Sequence, residues 1–185
     1  MDKVLIVVDM QNDFINGELG SLEARKACNN AINKIKNWDG KNIICTFDTH
    51  FQDHYTITEE GRQVPLHCLY NTHGWDLHEF IYQALVKYLF NGENHNILTI
   101  EKDTFGSVYE LPTQIEEICP KYPFEIHIIG LCTDICVISN ALILRSTFPQ
   151  ARIVVDANCC AGSTKESHRA ALEVMKANCI KVIGE

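Results

Sequence analysis

The chain has 185 residues, 46% hydrophobic and 22% charged, which suits one globular domain with a sizeable core. Its formal net charge of −8 repels phosphate backbones, which argues against nucleic acid and anionic membranes as general partners. No apolar run approaches the roughly 20 residues that span a bilayer.

The first apolar run, 4–8, follows Met1, Asp2 and Lys3. It is too short for the core of a signal peptide and ends at Asp9, so it reads as a strand buried on both faces. Similar β-branched runs recur at 42–47, 97–100, 125–129, 152–155 and 180–183. Helical spacing lies between them. It is carried by Ala27/Cys28, Ala31/Ile32, Ile35 and Trp38, then by Phe80/Ile81, Ala84/Leu85 and Tyr88/Leu89. Val137, Ala141, Leu142 and Leu144 suggest a more buried helix, and Ala170/Ala171 with Val174/Met175 another. Ser163-Thr164-Lys165-Glu166 reads as a capping box at the start of that last helix. Strands alternating with helices predict an α/β fold: a three-layer α-β-α sandwich with a six-stranded, mostly parallel sheet, in one domain over 1–185. The one long irregular stretch, about 49–74, is of a length that is usually functional.

The nine cysteines form no CxxC pair and no regular framework, so they read as mostly buried thiols of a reduced, cytoplasmic protein.

In open α/β sheets, ligands bind beyond the carboxyl ends of the strands. Asp9, Asp48-Thr49-His50, Lys102 and the segment from Gly130 to Cys136 all follow apolar runs there. Taken singly, each has a bland reading as a turn former, a surface cation or a core thiol. Together they suggest chemistry. Cys136 falls near the start of a helix, where free amides and the dipole favour a thiolate and can hold an oxyanion. Cys132 lies in the turn before it. Asp9 is placed to take the thiol proton, and Lys102 to stabilise the charge. Asp48 and His50, at i and i+2, point to one side of an extended segment. With His54, His67, Glu59 or Glu60 from the long loop, they suit zinc, iron or manganese. His73, His78, His95, His127 and His168 have no such context and read as structural.

These motifs in this order resemble the isochorismatase-like cysteine hydrolases, and within them the nicotinamidases, over nearly the whole chain. The resemblance rests on Val8 to Phe14 (VDMQNDF), Asp48-Thr49-His50, Pro65-Leu66-His67-Cys68, Lys102, and Gly130 to Val137 (GLCTDICV). It implies a catalytic triad of Asp9, Lys102 and Cys136. It also implies a cis peptide between Leu131 and Cys132, with the amides of Cys132 and Cys136 forming an oxyanion hole. Phe14 matches an aromatic that packs on the substrate ring, and Phe105 is a second wall. Asp48, His50 and His67 match the ligands of one divalent metal ion, zinc ahead of iron or manganese. A fourth ligand is left open among Glu59, Glu60, His54 and water. The implied activity is hydrolysis of nicotinamide and pyrazinamide to acid and ammonia through a cysteine thioester. The implied partner is thus a small amide, with homo-oligomers common in the family. Two rivals share the fold: a metal-free hydrolase of carbamoyl or ureido compounds, and a catalytically inactive binding module. Pro65-Leu66 departs from the two-proline run common before the metal histidine, and the 103–107 segment departs from the commonest form.

Overall fold

A computed structural model describes residues 2–185. The chain runs β1 (Asp2–Val8), α1 (Asn12–Ile15), α2 (Leu22–Lys36), β2 (Asn42–Asp48), α3 (Gln52–Tyr55), α4 (Glu59–Gln63), α5 (Glu79–Phe90) and β3 (Asn96–Lys102). It continues through α6 (Glu110–Ile118), β4 (Phe124–Leu131), a π-helical turn (Thr133–Val137), α7 (Ile138–Thr147), β5 (Arg152–Ala161), α8 (Lys165–Ala177) and β6 (Lys181–Ile183).

The six strands form one sheet in the order β3-β2-β1-β4-β5-β6, and every adjacent pair is parallel. The expected mostly parallel sheet is thus wholly parallel. A sheet of this kind is covered on both faces, which is why its central strands read as unbroken apolar runs. Val4, Leu5, Ile6, Val7 and Val8 of β1 are all fully buried. Val4, Ile6 and Val8 pack with Leu111, Ile115, Leu144, Leu172 and Met175, from α6, α7 and α8. Leu5 and Val7 point the other way, into a second core with Ala24, Ala27, Ala31 and Ile35 of α2 and Ile81, Ala84 and Leu85 of α5. The alternation along one strand therefore feeds two layers. Each such side chain contributes about 1.5–3 kcal/mol when fully buried.

Strand order reverses between β1 and β4, which opens a crevice beyond their carboxyl ends. At this junction Gly130 has φ +134°, and a Cβ there would meet the Val8 carbonyl oxygen at 2.1 Å. Only glycine lets β4 run this close to β1 just before the two chains diverge into the site.

The capping box differs in register from the expected one. Thr164 is the N-cap of α8, and its partner is Ser167 rather than Glu166. The Thr164 hydroxyl accepts the Ser167 N–H at 3.0 Å, and Ser167 Oγ accepts the Thr164 N–H at 3.1 Å. A serine at that position closes the box without the longer carboxylate. The 49–74 stretch is not wholly irregular, since it carries α3 and α4. Among the described residues, no helix is long and apolar enough to cross a membrane.

Candidate active site

Asp9 is the first residue beyond β1, is fully buried, and has a left-handed backbone with φ +47°. That conformation is uncommon for a residue with a side chain, and aspartate is among the few that tolerate it. The turn aims the carboxylate inward. Thr46 Oγ1 donates to Asp9 Oδ1 at 2.6 Å, and Lys102 Nζ lies 2.7 Å from Oδ2. Lys102 ends β3 directly beside Asp48 at the end of β2. Its ammonium also stands 3.4 Å from Asp48 Oδ1 and 3.6 Å from Cys136 Sγ. The three residues expected to form a triad therefore meet at one buried point.

Cys136 sits inside the π-helical turn rather than at the start of a regular helix. Val137 and Ile135 both donate their amides to the Cys132 carbonyl, at 3.0 and 3.1 Å. The Leu131–Cys132 peptide is cis, as the resemblance implies. Asn140, which the sequence reading passed over, holds the turn from behind. Its Nδ2 donates to the Cys136 carbonyl at 2.8 Å, and its Oδ1 accepts the Ser107 N–H at 3.0 Å. The available signal was an asparagine four residues after the thiol that leads into the apolar run Ala141 to Leu144; the fold buries it fully.

The electrostatics correct one expectation. The helix start was expected to lower the thiol pKa. Instead burial pushes Cys136 well above the ordinary thiol range, and the nearby Lys102 charge offsets this only in part. Burial likewise raises the Asp9 carboxyl, against the pull of Lys102. Burial alone would lower Lys102, but the charges of Asp9, Cys136 and Asp48 prevail and hold it well above its usual range. Burial thus works against charge on the thiol and on the Asp9 carboxyl, and the Lys102 ammonium is the one group that favours it on both.

Asp48, His50, Glu60 and His67 form a second cluster, with one ligand atom from each lying within 4.8 Å of the others. His50 Nε2 and His67 Nε2 stand 2.9 and 3.0 Å from Asp48 Oδ2, and 3.8 and 3.7 Å from Glu60 Oε1. The buried His50 Nε2 has no aligned hydrogen-bond partner. On the far side of its ring, His67 Nδ1 lies 2.8 Å from the Pro65 carbonyl, so that nitrogen carries the proton and Nε2 turns its lone pair inward. Two imidazoles and two carboxylates converging with an orphaned ring nitrogen fit a divalent ion. Of the side chains left open in the sequence for the fourth position, Glu60 is the one brought to the cluster. Glu59 faces solvent and pairs with Arg62, and His54 is exposed.

The loop reaches this cluster because the segment after β1 holds it. Gln11 is fully buried and donates to the carbonyls of Asp48 and Trp75, both at 2.8 Å, while accepting the Asp48 N–H at 2.8 Å. Asp13 Oδ2 accepts the Cys68 N–H at 2.8 Å, beside His67. His50 and Leu69 form an isolated parallel bridge that completes the docking.

The two clusters share a cleft of about 270 Å³. Asp48, Glu60 and His67 border it at one end, and Cys132 and Cys136 at the other. Phe14 and Phe105 both line it. Phe14 packs edge-on to His67 at 5.3 Å, whereas Phe105 is 41% exposed at the rim. The size and aromatic walls suit a small planar ring.

Comparison with known proteins agrees with this geometry. An uncharacterized isochorismatase family protein, PncA from Bacillus subtilis (strain 168), is 31% identical over 182 residues, covering 93% of each chain. The crystal structure of nicotinamidase/pyrazinamidase PncA from Bacillus subtilis superposes with a TM-score of 0.83 at 26% identity, covering 98% of this chain and 99% of that one. Pyrazinamidase of Pyrococcus horikoshii, in complex with zinc, superposes with a TM-score of 0.75 at 26% identity, covering 100% of both chains. Residues 3–185 match the isochorismatase domain model, and with that match over a parallel sheet bearing this site, the chain belongs to the isochorismatase domain family.

Proposed function

We propose that this chain is a nicotinamidase-type amidohydrolase, converting nicotinamide and pyrazinamide to the carboxylic acid and ammonia. The observation that carries the reading is the meeting of Asp9, Lys102 and Cys136, with separations of 2.7 and 3.6 Å from the ammonium, at one end of a cleft whose other end is the Asp48, His50, Glu60 and His67 cluster. The nicotinamidase and pyrazinamidase relatives support the same substrate class.

The aromatic ring of the amide lies between Phe14 and Phe105, with its carboxamide toward Cys136. Asp9 takes the thiol proton as the sulfur attacks, since burial works against a free thiolate. Lys102 pairs with the Asp9 carboxylate before the transfer and stabilises the emerging thiolate as Asp9 becomes neutral. The oxyanion of the tetrahedral adduct is held by the backbone N–H groups of Cys132 and Cys136, each worth about 2.7–4 kcal/mol in the transition state. Asp9 returns its proton to the nitrogen, the C–N bond breaks, and ammonia leaves a Cys136 thioester. Water, deprotonated by Asp9, attacks that thioester, and the acid departs as the thiol is regenerated.

Asp48, His50 and His67, with Glu60 as the fourth ligand, would hold one divalent ion. Mixed imidazole and carboxylate donors favour zinc, with iron or manganese as further candidates. When bound, the ion supplies a Lewis-acid anchor for a ring nitrogen, so it orients the substrate rather than activating the attacking water. A metal-free carbamoyl hydrolase has no use for a fully assembled four-residue cluster lining its cleft. The single sheet and its two continuous cores also support 1–185 as one domain.

Ammonia release from nicotinamide by wild-type protein and by Cys136→Ala tests the reading. Turnover by the wild type, absent in the variant while ligand still binds, is expected. Substantial hydrolysis by the variant would overturn the covalent route.

A further inference from the structure

The π-helical turn that carries Cys136 is anchored at its first two residues by the start of α8 and the β5–α8 connection. Thr133 is fully buried, and its Oγ1 lies 2.8 Å from His168 Nδ1. The Asp134 carboxylate accepts the Ser163 N–H at 2.9 Å and also the Ser163 hydroxyl. Gly162 lies between these contacts. A Cβ there would stand 2.8 Å from Asp134 Oδ1 and 2.9 Å from both the Cβ and the backbone nitrogen of His168. The turn and the start of α8 are therefore pressed together with no room for a side chain.

His168 is well placed to act as a fixed post. It belongs to the first turns of α8, whose start is fixed by the reciprocal Thr164 and Ser167 cap. Its ring lines a neighbouring cavity of about 280 Å³ and is not among the residues bordering the substrate cleft. It touches no reacting group. Its one side-chain hydrogen bond among the described residues goes to Thr133. Thr133 in turn lies directly after Cys132, whose N–H is the proposed oxyanion donor, and shortly before Cys136. A rotation at Thr133 moves both groups at once. Asn140 fixes the far side of the same turn through the Cys136 carbonyl, so the near side needs a separate anchor.

We infer that His168 is a positioning residue that acts through the Thr133 hydroxyl to set where the Cys136 thiol and the Cys132 amide stand relative to the substrate carbonyl. The inference rests on the amidohydrolase reading above. Its physical basis is that a displacement of about 1 Å at the reacting centre costs about 100-fold in rate, while ring binding between Phe14 and Phe105 is untouched.

The test is a double-mutant cycle on nicotinamide hydrolysis with His168→Ala, Thr133→Val and the double variant, together with His168→Asn, whose amide can reach the place of Nδ1. Each single removal is expected to lower kcat by about tenfold or more with KM within about twofold, the signature of a group that matters in the transition state. The double variant is expected to be no slower than the slower single one, because both remove the same bond. His168→Asn is expected to restore most of kcat, and Arg169→Ala, an exposed neighbour on α8, to leave it unchanged. Wild-type kcat in His168→Ala, multiplied losses in the double variant, or no recovery in His168→Asn would each overturn the inference. If His168→Ala does not fold, Thr133→Val and His168→Asn decide the question by the same criteria. A wild-type protein that leaves nicotinamide intact would count against the amidohydrolase reading instead. The rate of Cys136 alkylation then carries the same cycle, with equal changes expected in both single variants and reversal in His168→Asn.

Discussion

The two ends of the cleft are built by different means. At the thiol end, Asp9 and Lys102 stand on or next to strand termini, and Cys136 follows one by five residues. The parallel sheet, with its order reversing at β1 and β4, brings them together. At the ligand-cluster end, Asp48 is the last residue of β2 and His50 lies two residues beyond it. Glu60 and His67, however, come from the long connection, which is held by Gln11 and Asp13 side chains and by the backbone bridge between His50 and Leu69. A rigid scaffold fixes the first constellation. The second depends on side-chain and backbone hydrogen bonds to a loop, and it should yield to smaller perturbations.

That contrast can be sharpened from its strongest element downward. Cys136→Ala should reduce turnover by on the order of 10⁴–10⁶-fold while affinity for the ring stays near wild type, measured by ammonia release and by titration calorimetry. Retained turnover would mean that the thiol end is not the reaction centre. Asp9→Asn keeps the volume and a group for Thr46 Oγ1 to donate to, but removes the base. It should lower kcat by about 10²–10⁴-fold, read from steady-state rates. Asp13→Ala strips the Cys68 N–H of its acceptor and loosens the segment holding His67. Metal affinity should fall by about 10–100-fold in chelator competition, with the alkylation rate of Cys136 unchanged. If both readouts moved together, the two ends would not be independent. The smallest effect is expected from Glu60→Gln. It leaves Asp48, His50 and His67 in place and should weaken metal binding by about tenfold or less, checked by the same competition.

The same contrast explains what was legible in the sequence. Strand ends can be read from where an apolar run stops, so Asp9, Asp48 and Lys102 stood out without coordinates. Phe14 and Phe105 entered through the resemblance, and both line the cleft. Glu60 could not be told from Glu59 or His54. The three differ only in how α3 and α4 turn, and no periodicity marks helices of four or five residues. The helix at Glu110–Ile118 gave little signal because Pro112 reads as a breaker. It is tolerated because it falls in the first turn, where its missing N–H is not needed. The direction of the Cys136 pKa shift was misjudged for a related reason. A helix start is visible in sequence, whereas the burial that outweighs it belongs to the packed fold. Gln11, Asp13 and Asn140 lie in or beside quoted motifs, but their partners are Asp48, Trp75, Cys68 and Ser107, contacts that no local pattern encodes.

In the proposed function, one cleft joins a cysteine nucleophile to a metal-held ring site. The most direct test is ammonia release from nicotinamide by the purified protein as isolated, after chelation, and after metal is restored. Rapid release that falls on chelation and returns with zinc, iron or manganese is expected. Metal-loaded protein that binds the ion yet leaves nicotinamide intact would contradict that function and would point to the carbamoyl and ureido amides.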